Sequence, residues 1–147
     1  MLLNTTCSYN HAYGQAALYN CRTGYGNVGI GYLAAFTVDS AIYNIGIGYQ
    51  SIYYATGSYN TGVGSFTLLN TAAGEHNTAL GYQAGDVITS GSHNICIGSL
   101  TDTSANSGGT VSYTPLTLPT IYPLYISVVA VSLKKKKQKH NHDEEPQ

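Results

Sequence analysis

Among the side chains able to ligate a metal, His76 and His93 share one feature, since each stands directly before an asparagine, Asn77 and Asn94, 17 residues apart. If the chain stacks with that period, the two imidazoles come close, and a metal could bridge them across coils or around a three-fold axis. Tyrosine fills the same place elsewhere (Tyr9, Tyr43, Tyr59), which favours an outward surface column over a metal centre. A second cluster, His140 and His142 with Asp143, Glu144 and Glu145, sits in a terminal segment of different composition. Cys7, Cys21 and Cys96 share no spacing of the zinc or paired-disulfide kind, so three free thiols are expected. Asn4-Thr5-Thr6 fits a glycosylation acceptor, a motif that arises easily in an Asn/Thr-rich chain. There is no nucleophile elbow, phosphate loop, Ser-His-Asp set or catalytic carboxylate pair. The expectation is a protein that is not an enzyme, with no cofactor and no metal site.

The elements that carry these residues follow from a repeat. Asn-x-x-x-Gly recurs at Asn10/Gly14, Asn27/Gly31, Asn44/Gly48, Asn60/Gly64, Asn77/Gly81 and Asn94/Gly98, in steps of 17, 17, 16, 17 and 17 residues. Helical-pair arrays and propeller blades need about 30 to 50 residues per unit, so this short period predicts one coil of a stacked β-structure. The third position of each unit is small (Ala12, Gly29, Gly46, Gly62, Ala79, Cys96) and the fourth large (Tyr13, Ile30, Ile47, Val63, Leu80, Ile97). That alternation predicts a strand whose Ile30, Ile47, Val63, Leu80 and Ile97 line up inside the stack, about 4.8 Å apart. The predicted fold is therefore all-β, a parallel β-solenoid of about six coils of 16–17 residues.

Three residues past each glycine another small residue (Ala17, Ala34, Ser51, Thr67, Ala84, Thr101) opens a second segment, read as a weaker strand. A turn rich in Asn, Thr, Ser and Gly closes the unit, with Gly24, Gly57, Gly74, Gly91 and Gly108 before the next repeat and Ala41 as the departure. The leading asparagines are placed at the corner, where their amides can bond backbone groups and stack into a ladder. So thin a coil encloses little apolar volume against its chain entropy, and needs outside cover. Tyr32, Tyr49 and Tyr82, each directly after a repeat glycine, form a candidate binding column suited to packing against an identical chain. A homotrimer is expected.

Asn60-Thr61-Gly62-Val63-Gly64, Asn77-Thr78-Ala79-Leu80-Gly81-Tyr82-Gln83-Ala84-Gly85 and Thr56-Gly57-Ser58-Tyr59-Asn60 resemble the degenerate repeats of phage tail-fibre and related virion fibre proteins. More distantly they are similar to the head repeats of bacterial trimeric autotransporter adhesins, from which this chain departs in its longer unit. The resemblance covers residues 4 to about 108. It implies a left-handed parallel β-roll, three chains per fibre, a role in surface attachment, and a place on a virion fibre or at the cell surface. It names no receptor. The repeat opens mid-unit, Leu2-Leu3-Asn4-Thr5 matching Leu68-Leu69-Asn70-Thr71, so a fragment is expected, without a visible cap or leader.

The domains expected are 1–110, the repeat, and 111–147, a tail in which the period stops. Val111-Ser112-Tyr113-Thr114-Pro115-Leu116-Thr117-Leu118-Pro119-Thr120 resembles translated sequencing-adapter read-through, and the tail is expected to be disordered or artefactual. Its apolar run from Ile121 to Leu133, before Lys134–Lys137, is short of the roughly 20 residues that span a bilayer, and towards its start it meets Pro123 and then Pro119 and Pro115, so no membrane span is expected. The near-neutral overall charge conceals this division: to residue 110 there is one basic residue, Arg22, against Asp39, Glu75, Asp86 and Asp102, while all five lysines lie in the tail. A neutral rod rich in hydroxyls and amides has no basic stripe for phosphates, and no nucleic-acid partner is expected.

Two functions fit a rod of this kind. One is a structural fibre or adhesin segment that attaches to a host or cell surface; the other is direct carbohydrate or receptor binding by columns of Tyr, Asn, Ser and Thr along its side. Ice or mineral binding would need a regular threonine column, and the position after the asparagine reads His11, Val28, Ile45, Thr61, Thr78, Ile95.

Overall fold

The computed structural model describes residues 6–103, 106 and 108–114. They form a parallel β-solenoid of about six turns, with seven three-residue strands and no helix among the described residues. The strands are β1 (His11–Tyr13), β2 (Val28–Ile30), β3 (Ile45–Ile47), β4 (Thr61–Val63), β5 (Thr78–Leu80), β6 (Ile95–Ile97) and β7 (Val111–Tyr113). They pair in sequence order in one parallel sheet, and equivalent repeat positions face each other on every rung, for example Ile30, Ile47, Val63, Leu80 and Ile97.

The column is in vertical register, but it points outward, which corrects the expectation that these side chains fill the interior. Ile30, Leu80 and Ile97 are 39%, 49% and 47% exposed, whereas the small residues between the outward positions, such as Ala79 and Cys96, are buried. The reason is room. A Cβ on Gly29 would come within 3.0 Å of the Ala34 carbonyl and 3.2 Å of the Leu18 side chain, and one on Gly62 within 2.7 Å of the Thr67 hydroxyl. The opposite half of the coil thus approaches so closely that the inward side of β1 to β6 carries only Gly, Ala or Cys, and that of β7 the equally small Ser112.

The apolar interior is supplied by the second segment, which is not the weaker strand expected. Its residues form a run of turns in which alternate non-glycine residues take left-handed backbone, as at Leu33 and Ala35 (φ 55° and 52°) and at Gln50 and Ile52 (51° and 53°). Each such residue costs on the order of 1 kcal/mol. The conformation is held by bonds to both neighbouring coils: the Leu33 N–H donates to the Gln15 carbonyl at 3.0 Å, and the Ala35 N–H to the Ser51 carbonyl at 2.9 Å. Leu18, Ile52 and Leu68, four residues past the repeat glycine, are completely buried there, beside the small column of Ala17, Ala34, Ser51, Thr67 and Ala84.

A second interior column lies seven residues past the glycine, and its size complements the first. Leu18 goes with Cys21, Ile52 with Ala55 and Leu68 with Thr71, whereas Ala35 goes with Val38 and Gly85 with Ile88. A Cβ on Gly85 would lie 2.8 Å from Leu68 Cδ2 and 3.3 Å from Ile88 Cδ1, so the isoleucine occupies the space that leucine fills elsewhere. Each coil keeps its volume by exchange between two positions three residues apart, as close-packed interiors require.

At the corner after each strand the repeat glycines adopt φ from 122° to 134°. A Cβ on Gly31 would stand 2.5 Å from the Gly48 carbonyl oxygen of the next coil, so both conformation and space demand glycine.

The first rung is tied covalently. Cys7 and Cys21 form a disulfide with 6.4 Å between Cα atoms, which corrects the expectation of free thiols. Cys7 takes the closing-turn place of Gly24 in the preceding repeat and Cys21 the seventh place after Gly14; the two hold different repeat positions, three apart, and meet across adjacent coils. Cys96 is the one thiol that remains free among the described residues, buried in the inward strand column. The rod also passes the expected boundary at residue 110. Thr110 replaces the asparagine, Val111–Tyr113 pairs with Ile95–Ile97, and the compact unit ends at Thr114. The tail histidines, the apolar run 121–133 and the lysines lie outside the described residues, as do Asn4 and Thr5. No helix among the described residues is long and apolar enough to cross a membrane.

Candidate functional site

The corner asparagines are buried, which bears on function because it removes them from the surface. Asn27, Asn44, Asn60, Asn77 and Asn94 have no exposed area. Each side-chain oxygen accepts the backbone N–H of the next asparagine: Asn10 from Asn27 at 2.7 Å, Asn27 from Asn44 at 2.9 Å, Asn44 from Asn60 at 2.9 Å, Asn60 from Asn77 at 3.0 Å and Asn77 from Asn94 at 3.0 Å. From Asn10 to Asn77 each amide nitrogen donates to the carbonyl closing its own coil's turn, as from Asn44 to Gly57 at 3.0 Å and Asn60 to Gly74 at 2.9 Å. Donor and acceptor at opposite ends of one short planar group satisfy two backbone groups at once, which neither Asp nor Leu can do. Thr110 ends the ladder, donating its hydroxyl and its N–H to the Asn94 oxygen.

Surface chemistry falls to the aromatic columns. Tyr32, Tyr49 and Tyr82 are 41%, 45% and 49% exposed and belong to one column. Tyr32 and Tyr49 stack at 5.2 Å; in the next coil Ser65 takes the tyrosine's place, and Phe66, one residue later, bridges from Tyr49 (5.1 Å) to Tyr82 (6.0 Å) by edge contacts. Phe66 escaped the sequence reading because it is one place out of register, and its left-handed φ of 60° re-aims the ring.

A second column precedes the asparagines. Tyr43 stacks on Tyr59 at 5.7 Å, Tyr59 on His76 at 4.7 Å and His76 on His93 at 4.9 Å, with Tyr25 edge-on to Tyr43 at 5.1 Å. The histidines do meet, but face to face with an interplanar angle of 16°, a geometry in which ring nitrogens lie side by side instead of converging on a common point. No group of three His, Cys, Asp or Glu side chains that could hold a metal occurs among the described residues.

A third column, Tyr19, Phe36 and Tyr53, stacks at 5.3 and 4.9 Å, with Tyr54 edge-on to Tyr53 at 4.4 Å. Desolvation, and then the neighbouring Tyr54 and Tyr32, hold the Tyr53 phenol above its ordinary pKa. Beside this column Asn20, Arg22, Thr37, Asp39 and Thr56 line an open groove. Arg22 grips Asp39 in a two-pronged ion pair, Nε to Oδ1 at 2.6 Å and a second bond from Nη2 to Oδ2. That hydrogen bonding keeps the Asp39 carboxyl below the usual carboxylate range.

One ionisable residue turns toward the interior. Asp102 occupies, four residues past Gly98, the place of Leu18, Ile52 and Leu68, and one of its carboxyl oxygens is buried without a hydrogen-bond partner. Burial and then the neighbouring Asp86 push its pKa up. Burial likewise pushes up the Cys96 thiol nearby, which makes it a poor nucleophile.

Comparison with protein-family models, with curated proteins and with solved structures gives no match. The functional reading therefore rests on the geometry and on the repeat sequence itself.

Proposed function

We propose that this chain is a shaft or head segment of a homotrimeric fibre that attaches a virion or cell to a surface, and that it has no catalytic role. The observation that carries the reading is the outward sheet face. Val28, Ile45 and Ile95 on one column and Ile30, Ile47, Val63, Leu80 and Ile97 on the next present aliphatic side chains on strands of a continuous ladder. A flat aliphatic strip running the length of a rod is a surface to be covered, and a copy of the same chain repeats at the same pitch. Three chains, and a place on a virion fibre or the cell surface, follow from the resemblance of the repeats to tail-fibre and autotransporter head repeats. The rod suits the role mechanically: six coils at about 4.8 Å each give roughly 30 Å of shaft, in which every coil is bonded to its neighbours.

Sedimentation equilibrium of the full chain tests this. The expected mass is three times that of the chain, and Ile47→Lys, at the centre of the strip, is expected to yield monomer with unchanged circular dichroism. A monodisperse wild-type monomer across micromolar concentrations would defeat the reading.

The second reading is a direct carbohydrate- or receptor-binding surface. What favours it is the column of Tyr32, Tyr49, Phe66 and Tyr82, whose rings are held in place by one another and stay half exposed.

A further inference from the structure

We infer that the groove lined by Asn20, Arg22, Thr37, Asp39 and Thr56 is a subsite for one neutral sugar ring, and that the exposed Tyr54, which follows Asn20 and Thr37 in the same repeat column, supplies its stacking face. The proposal takes its ligand class from the second reading above but places it on the columns of Asn20 and Arg22 instead of the column of Tyr32, Tyr49 and Tyr82.

Repeat position gives the groove its form. Asn20, Thr37 and Tyr54 stand six residues past Gly14, Gly31 and Gly48, so they make one column; Arg22, Asp39 and Thr56 stand eight past and make the parallel one. Two columns of polar groups thus run side by side over three coils. The third coil replaces the small polar residue by Tyr54, whose ring is exposed and is held edge-on by Tyr53 at 4.4 Å. A fixed, exposed ring beside polar groups presents a face for the C–H side of a sugar while its hydroxyls turn to the polar columns.

The polar groups select a neutral polyol. Arg22 and Asp39 neutralise each other and hold each other in place, so an anionic ligand would meet the Asp39 carboxylate and a cationic one the Arg22 guanidinium. The Thr37 hydroxyl donates to the Tyr53 carbonyl at 2.6 Å and the Thr56 hydroxyl to the Ala72 carbonyl, which leaves both oxygens oriented as acceptors. Asn20 differs from Asn70, its equivalent three coils on, whose amide is used in donating to the Asp86 carbonyl at 2.9 Å. The Asn20 amide makes no such bond and offers both a donor and an acceptor to the groove. Fixed acceptors, a locked ion pair and an amide match vicinal hydroxyls, which donate and accept at neighbouring atoms.

Saturation-transfer NMR on the full chain, with neutral hexose and N-acetylhexosamine oligosaccharides at millimolar concentration and with uronic acid and phosphorylated sugars beside them, tests the subsite. Transfer to at least one neutral saccharide is expected, with affinity reduced about tenfold by Tyr54→Ala and by Asn20→Ala, the size of one lost stacking contact or hydrogen bond. Tyr82→Ala is expected to change it less than about twofold, because a lost contact elsewhere does not couple over that separation. Circular dichroism of each variant should match the wild type, since both groove side chains stand at the surface. Binding lost with Tyr82→Ala but not with Tyr54→Ala would overturn this site and leave the second reading intact. Preference for the anionic sugars, or no transfer to any neutral saccharide from a protein of intact dichroism, would overturn the proposal outright.

Discussion

The inward and outward sides of a coil follow different rules, though they alternate along the same three-residue strand. Inside, nearly every position is fixed by a contact less than one side chain deep: Gly29 by the Ala34 carbonyl, Gly31 by the Gly48 carbonyl, Asn60 by two backbone groups. Outside, Val28, Ile45, Thr61, Thr78 and Ile95 succeed one another in a single column with no contact that demands any one of them. The comparison shows that the rod is specified by polar bonding and by absence of volume, while its apolar side chains are divided between a thin core and a surface that needs a partner.

The largest effect should come from breaking the inner rule at mid-rod. Asn60→Leu leaves the Asn77 N–H and the Gly74 carbonyl buried without partners, two groups at about 1–3 kcal/mol each, and adds a side chain where none fits. Loss of cooperative thermal unfolding is expected. Thr61→Val, the adjacent outward residue, is expected to stay within about 0.5 kcal/mol of wild type by urea titration. Equal effects of the two would erase the distinction.

Next in size is the covalent tie at the first rung. Cys7 and Cys21 close a loop of separation 14, for which chain entropy predicts about 3 kcal/mol of stabilisation. Reduction, or Cys7→Ser, should lower the urea midpoint and increase amide exchange in the coil that holds β1 more than in the coil that holds β4. Uniform exchange along the rod would mean that the stack melts as one unit regardless of its end.

Interior volume exchange makes a sharper test, because it predicts a sign. Gly85→Leu should destabilise by about 1–3 kcal/mol through overlap with Leu68 and Ile88. Adding Ile88→Ala recreates the pairing of Ile52 with Ala55, so the double variant should be more stable than Gly85→Leu alone. A double variant less stable than either single one would show that the two columns do not share their space.

How far the sequence displayed this follows from the same division. The Asn and Gly spacing alone predicts rung, register and parallel stacking, because those residues answer to backbone geometry that recurs in every coil. The direction of Ile30, Ile47 and Leu80 was not legible, since small–large alternation states that a strand has two faces and leaves open which one is the inside. Left-handed turns at Leu33, Ala35 and Ile52 escaped because those residue types disfavour that backbone and only the neighbouring coils' carbonyls sustain it. The disulfide escaped because Cys7 and Cys21 hold different repeat positions that become neighbours only when one coil lies on another. Volume compensation between Gly85 and Ile88 was present in the letters and needed the knowledge that both point inward. Of the candidate binding column, Tyr32 and Tyr49 could be found by register, whereas Phe66 could not.

Asp102 supplies the smallest effect and the finest distinction, being a surface-type residue at an inward position. Its folded-state pKa is raised by burial and by Asp86, so the fold prefers the protonated carboxyl. The stabilising contribution is complete below the unfolded carboxyl value, declines as pH rises through the raised folded value, and is absent at neutral pH. Asp39 acts in the opposite sense, its depressed pKa giving stability that is lost on acidification, but its exposure screens the effect. Asp102→Asn keeps the shape and removes the charge. It should raise stability at pH 7, leave it unchanged at pH 3, and flatten the pH dependence between them as read by urea midpoints. A variant that loses stability at pH 7 would mean that the ionised carboxylate is held by the last coil, and the inner rule would then extend to charge.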